Sequence, residues 1–156
     1  GIRDHCVTGV QTCALPIWVH SHVDHLAGLL NWAAARQLKR VAIHVITDGR
    51  DTAPTSAAGF VDQVEAQIAA AGIGEIDTLC GRYWAMDRDC RWERTERAYR
   101  LLTEPSSPSA LSPAEILEAS YAEDITDEFL EPVRLGGDPI RPNDGLICFK
   151  IGRAHV

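Results

Sequence analysis

The chain of 156 residues contains no apolar run approaching the roughly 18 residues that a membrane-spanning helix needs, and nothing in it reads as a secretory leader. No membrane is expected as a partner, and the cytoplasm is the default compartment. Positive charge is scarce, with 15 Lys and Arg against 22 Asp and Glu for a formal net charge of -7, and no nucleic acid partner is expected. The five cysteines show no C-x-x-C spacing, so neither a disulfide frame nor a zinc site is expected. An internal repeat and a glycine-rich nucleotide fingerprint are also lacking. What is present is an acidic chain with 46% hydrophobic residues, enough for one domain with a core.

Against that acidic background, one segment stands out. Gly81-Arg82-Tyr83-Trp84-Ala85-Met86-Asp87-Arg88-Asp89-Cys90-Arg91-Trp92-Glu93-Arg94 gathers four arginines, which asks for an anion. It follows the apolar run Ile76 to Cys80, so it lies at the carboxyl end of a strand, where open α/β sheets bind ligands. The plainer reading is a solvated helix start whose arginines pair with Asp89, Glu93 and Glu96. A second stretch of the same kind favours the anion: Asp48-Gly49-Arg50-Asp51 directly follows Val41 to Ile46, an apolar run that reads as a strand covered on both faces.

The two ends read as something other than native protein. Lys150 to Val156 can be encoded by AAG ATC GGA AGA GCA CAC GTC. The reverse complement of that string, in another frame, encodes the tail of Gln11 to Ile17. Both ends therefore resemble a translated sequencing-library adapter, and residues 1 to 17 and 150 to 156 are set aside from the fold. A genuine N-terminal strand is the alternative. With Cys6 and Cys13 removed, Cys80, Cys90 and Cys148 remain as reduced thiols, and Cys80 and Cys148 fall in apolar runs expected to be core.

Between the ends, helices and strands alternate. Ser21 and Asp24 suggest a capping box for a helix from about His22, with Leu26, Leu29, Leu30 and Ala33 as its inward stripe. The strand Val41 to Thr47 follows. A helix carrying Phe60, Val61, Val64 and Ile68 then stops at Gly72, and Ile76 to Cys80 forms the next strand. Trp92, Thr95, Tyr99 and Leu102 share one face of a helix, which makes Trp92 core and leaves Arg94, Arg97 and Arg100 solvated. Ser112-Pro113-Ala114-Glu115 starts a further helix, Phe129 to Leu135 can add a strand, and Leu146 to Phe149 is another. The fold class is α/β, a mainly parallel β-sheet covered by helices and truncated at both ends. Loss of a first and a last strand would expose sheet edges, and aggregation is the expectation.

His20-Ser21-His22, Asp48-Gly49-Arg50-Asp51-Thr52, Gly81 to Asp89, Arg91 to Arg94, Glu118 to Tyr121 and Thr126 to Phe129 together resemble the cofactor-independent phosphoglycerate mutases in order and spacing. The likeness runs from His20 to about Phe149. It implies that residues 18 to 149 are part of that family's substrate-binding domain. The family interconverts 3-phosphoglycerate and 2-phosphoglycerate through a serine on a separate alkaline-phosphatase-like domain, which binds two manganese ions and needs no bisphosphoglycerate. That domain and its ligands are absent from this sequence. The resemblance makes His20, Arg50, Asp51, Arg82 and Arg88 the substrate contacts, with no metal ligands among them, and makes Asp51 a candidate for moving a proton of the glycerate hydroxyl. A structural alternative has Asp51 orienting Arg50. Two other readings stay open: a metal-dependent hydrolase using His20, His22 and His25, or a non-catalytic anion-binding module.

Overall fold

In the computed structural model, residues 10–14 and 22–148 are described. The strands are β1 (Val10–Ala14), β2 (Val41–Thr47), β3 (Glu75–Gly81), β4 (Val133–Arg134) and β5 (Gly145–Cys148). The helices are α1 (Asp24–Ala35), α2 (Ala57–Ala71), α3 (Arg82–Ala85), α4 (Trp92–Thr103) and α5 (Pro113–Ala122), with a 3₁₀ turn at Asp127–Phe129. The sheet order is β4-β3-β2-β1-β5. Every pairing is parallel except β3 with β4, so the mainly parallel sheet is as expected. Among the described residues no helix is long and apolar enough to cross a membrane.

Strand β2 is buried along nearly its whole length, which is why its sequence is a continuous apolar run and not an alternation. Its residues Val41, Ile43 and Val45 join Leu26 and Leu30 of α1, Val61 and Val64 of α2 and Leu117 of α5 in the main core. Burying each of these large side chains contributes about 1.5–3 kcal/mol. Successive residues of a strand face opposite sides. Leu79 accordingly belongs to this core, while Cys80 faces a smaller one made with Ala98 and Leu101 of α4.

The helix boundaries follow local chemistry. Ser112 accepts from the Glu115 N–H and the Glu115 carboxylate accepts from the Ser112 N–H, so both halves of the capping box at α5 are formed. Helix α2 ends on Gly72 at φ 68°, a left-handed value that glycine adopts without steric cost. Ser21 lies outside the described residues; α1 begins at Asp24 with no side-chain cap on Val23.

Val10–Ala14, among the residues set aside at the start, pair as β1 between β2 and β5, where an empty slot would leave two rows of backbone N–H and C=O groups unpaired. Other expectations are corrected. Trp92 and Tyr99 are 72% and 64% exposed and are not core. The inward face of α4 is Arg94, Ala98 and Leu101, in i, i+4, i+7 spacing, with the Arg94 guanidinium lying on the Tyr83 ring, while the half-exposed Arg97 lies on the Trp84 ring at its edge. Arg94 is thus not a solvated residue. Cys148 is exposed, and of Phe129 to Leu135 only Val133–Arg134 is strand, because the preceding residues turn into the site.

Candidate functional site

The carboxyl ends of β2 and β3 lie side by side, with Thr47 in register with Gly81. Each end opens into a loop carrying arginine: Asp48 to Thr52 after β2, and Arg82 to Arg91 after β3. Between them is a cavity of about 270 Å³ lined by Arg50, Arg82, Tyr83, Met86, Asp87, Arg88, Asp89, Arg94 and Glu128. Three of the residues singled out from sequence, Arg50, Arg82 and Arg88, line this one cavity. Asp51 is bonded to Arg82, while His20 lies outside the described residues.

The arginines differ in what holds them. Arg82 is only 7% exposed, and its Nη1 donates to Asp48 Oδ1 at 2.6 Å and to Asp51 Oδ2 at 2.9 Å. Burial works against its charge, but the bonds it donates to Asp51 and Asp48, and their charges, outweigh it and raise the guanidinium pKa. Asp51 therefore partners Arg82 and not Arg50. Arg94 donates to Asp87 at 3.2 Å and stacks 3.8 Å from the Tyr83 ring centroid. Arg50, half exposed, is ion-paired to Glu128. Arg88 has no carboxylate partner among the described residues.

Asp48 is the fixed point of the first loop. Buried at 1% exposure, its Oδ1 accepts the Arg50 and Asp51 N–H groups, each at 3.0 Å, as well as Arg82. Burial pushes its pKa up, yet the Asp51 N–H, Arg82 and the Arg50 N–H together hold the carboxyl below the usual range. An ionised carboxylate here sets the loop backbone and the guanidinium at once.

A third piece of chain completes the site. The 3₁₀ turn at Asp127–Phe129 inserts between the two loops, held by bonds to both strand ends. Thr47 Oγ1 donates to the Asp127 carbonyl at 2.6 Å, the Asp127 N–H to Pro54 at 2.8 Å and the Gly81 N–H to Leu130 at 2.8 Å. Asp127 Oδ2 accepts the Ser56 and Ala57 N–H groups at 2.8 and 2.9 Å, capping α2, and Oδ1 accepts the Tyr121 hydroxyl. The fit requires glycine on both sides. A Cβ at Gly81 would stand 2.4 Å from the Glu128 carbonyl oxygen, and one at Gly49 would stand 2.8 Å from the Glu128 nitrogen.

Sequence reasoning missed Asp48, Tyr83, Asp87, Arg94 and Glu128 as parts of the site. A carboxylate directly before a glycine at a strand end was the available signal for Asp48. Glu128 sat in a stretch used only to support the family likeness. At the start of α1, His25 Nδ1 accepts the His22 N–H at 3.1 Å and His22 Nδ1 accepts the Asp24 N–H at 3.3 Å, so both rings serve the helix end. No group of three or more His, Cys, Asp or Glu that could hold a metal ion occurs among the described residues; the implied manganese pair finds no ligand set in them.

Chemically, the cavity presents Arg88, without a carboxylate partner among the described residues, and the half-exposed Arg50, paired with Glu128, near an exposed carboxylate, Asp51. That combination suits a small acid carrying two anionic groups and a hydroxyl. Residues 17–153 match the family described as the BPG-independent PGAM N-terminus. The chain is 57% identical over 132 residues to a 2,3-bisphosphoglycerate-independent phosphoglycerate mutase of Prochlorococcus marinus, covering 84% of this chain and 24% of the relative. It is 50% identical over 131 residues to the protein of that name from Synechococcus elongatus, covering 84% and 25%. A Leishmania mexicana phosphoglycerate mutase, solved at low cobalt concentration, superposes with a TM-score of 0.81 at 25% identity over 91% of this chain and 29% of that one. The chain thus spans about a quarter of the length of the curated relatives it matches.

Proposed function

From the premise that this chain belongs to the family of 2,3-bisphosphoglycerate-independent phosphoglycerate mutases, we propose that it holds the glycerate substrate in an enzyme interconverting 3-phosphoglycerate and 2-phosphoglycerate. In this proposal residues 18 to 149 are the mutase part. The phosphoryl-carrying serine and the two manganese ions belong to a metal-binding domain outside this sequence. The ions would supply activation of the serine and stabilisation of the transferring oxygens. The enzyme acts in the cytoplasm on a glycolytic intermediate.

The observation that carries the reading is the convergence of Arg50, Arg82 and Arg88 from two separate loops on one cavity. Asp48, Asp51 and Glu128 offset the charge of Arg82 and Arg50, which leaves Arg88 as the charge an entering anion would answer. Arg88, which has no carboxylate partner among the described residues, and the half-exposed Arg50, which must give up Glu128, are the groups that can meet a carboxylate or phosphate, since Arg82 is already committed to two carboxylates. Arg82 in turn holds Asp51, half exposed, at the loop surface. A carboxylate beside an anionic substrate is costly unless it takes a hydrogen bond, so Asp51 accepts the glycerate hydroxyl and helps move its proton during transfer. His20 is assigned a substrate contact on the family likeness alone.

Titration of the 156-residue chain with 3-phosphoglycerate, followed by NMR, tests the binding. Shifts confined to the Asp48 to Thr52 and Arg82 to Arg94 loops are expected, and no turnover with or without manganese. Absence of shifts there, or measurable mutase activity, would overturn this reading. In a complete enzyme of the family, the Asp51→Asn equivalent is expected to lower kcat far more than it changes KM. The reverse would remove the proton role.

A further inference from the structure

Four arginines line the cavity, and three of them have carboxylate partners. Those partnerships are not equivalent. Arg82 is enclosed, at 7% exposure, between Asp48 and Asp51, and the Arg94 side chain is 14% exposed and stacked on Tyr83. Neither can leave its partner without breaking buried contacts. Arg50 is different, because its side chain is 51% exposed while that of its partner Glu128 is 12% exposed. Glu128 is also immobilised through its backbone, whose nitrogen and carbonyl oxygen fill the spaces beside Gly49 and Gly81. The pair therefore joins a fixed anion to a movable cation.

We propose that Glu128 is a positioning residue that competes with the substrate for Arg50: it holds the guanidinium in place while the cavity is empty and surrenders it when an acidic ligand arrives. The inference rests on the substrate-holding role above and adds to it the group that sets its strength. An entering anion meets Arg88 first, which no carboxylate occupies among the described residues. It gains Arg50 only by displacing Glu128. The consequence is weaker binding than four arginines would otherwise give, and easier departure. An isomerase whose substrate and product bear the same charged groups needs that, since binding both ground states tightly does not raise turnover and slows release.

A double-mutant cycle on the 156-residue chain, with 3-phosphoglycerate as the probe and NMR titration as the readout, tests the coupling. Glu128→Gln is expected to tighten Kd by roughly fivefold, the upper end for a half-exposed ion pair. Glu128→Asp, one methylene too short to reach Arg50, keeps the charge and is expected to tighten binding as well. Arg50→Gln weakens binding, and in that background Glu128→Gln is expected to change nothing. Equal tightening in both backgrounds would mean that Glu128 acts through space on the ligand, and would overturn the proposal. So would an unchanged or weaker Kd for Glu128→Gln with the amide spectrum otherwise intact. If the unmodified chain fails to bind 3-phosphoglycerate, the substrate-holding role falls and this inference with it; a failed cycle on a chain that binds overturns this inference alone.

Discussion

Asp127 should be worth more to this fold than any surface charge, and its worth should lie in its oxygens and not in its ionisation. Its carboxylate is 1% exposed and accepts three hydrogen bonds, two from the start of α2 and one from the Tyr121 hydroxyl. In Asp127→Ala the two N–H groups lose a capping acceptor, a loss of about 1 kcal/mol and up to 2. The partly buried Tyr121 hydroxyl adds about 1–2 kcal/mol if water cannot replace the carboxylate. Together these give about 3 kcal/mol. With a urea m-value of about 2 kcal/mol/M, the unfolding midpoint should fall by about 1.5 M. Asp127→Asn separates the two contributions. Burial lifts the Asp127 pKa more than the bonds from Tyr121, Ala57 and Ser56 lower it, with the Asp48 charge adding to the rise, so the carboxyl sits above its usual range. The charge is then no net asset. The amide oxygen can still take both N–H groups on α2, and the amide nitrogen can donate to the Tyr121 oxygen. The asparagine variant should therefore lose less than about 1 kcal/mol. Equal losses for asparagine and alanine, or an alanine midpoint within about 0.5 M of the parent, would refute the hydrogen-bond account.

Gly81→Ala should destabilise the chain by more than about 2 kcal/mol, since the new methyl meets backbone at 2.4 Å on one side and 2.7 Å on another, whereas Gly28→Ala, in open space inside α1, should gain about 0.5–1 kcal/mol; urea midpoints check both. The pH dependence should show two opposed contributions from the buried polar groups on β2 and β3. His44, lowered to about 4 by burial and by Arg134 and Arg40, stays neutral in the fold while the unfolded chain takes up a proton below about 6.5, so its contribution makes stability rise with pH between about 4 and 6.5. Asp77 is raised to about 6 by burial, with Glu75 adding and Arg40 and Arg134 opposing; it binds a proton in the fold that the unfolded chain has released, so its contribution falls with pH between about 4 and 6. The Asp77→Asn variant should accordingly show a midpoint climbing more steeply than the parent from pH 4.5 to 6, and identical slopes would refute the pairing.

The parts of this fold that were legible in sequence are those where one local rule decides. Val41 to Thr47 had to be a strand buried on both faces because no polar residue interrupts it until His44, and Thr78 Oγ1 lies 2.9 Å from that ring's Nδ1. The α5 start was legible because its cap, proline and glutamate lie within four residues. The arginine loops were legible as a pair because a parallel sheet brings the carboxyl ends of neighbouring strands together whatever their sequences. What escaped notice depends on contacts between distant segments. The inward face of α4 contains an arginine, Arg94, and a pattern that counts apolar residues assigns the outward Trp92 and Tyr99 instead; only the position of the Tyr83 ring reveals that Arg94 has somewhere to lie.

The 3₁₀ turn is the stronger case, and it shows why the site is more than its arginines. Thr47 and Asp127 are joined across 80 residues of sequence, and nothing local to Asp127 or Glu128 requires the burial they show. Burial follows because Gly49 and Gly81 leave a slot between two parallel strand ends, and unpaired backbone there needs a partner. The segment that fills the slot then brings two carboxylates with it. Asp127 turns to α2 and fastens the slot, while Glu128 turns to the cavity and engages Arg50. Packing that closes the sheet end thus also sets the charge balance of the cavity. A substitution that loosens the turn should therefore be felt as altered anion affinity before the fold is lost.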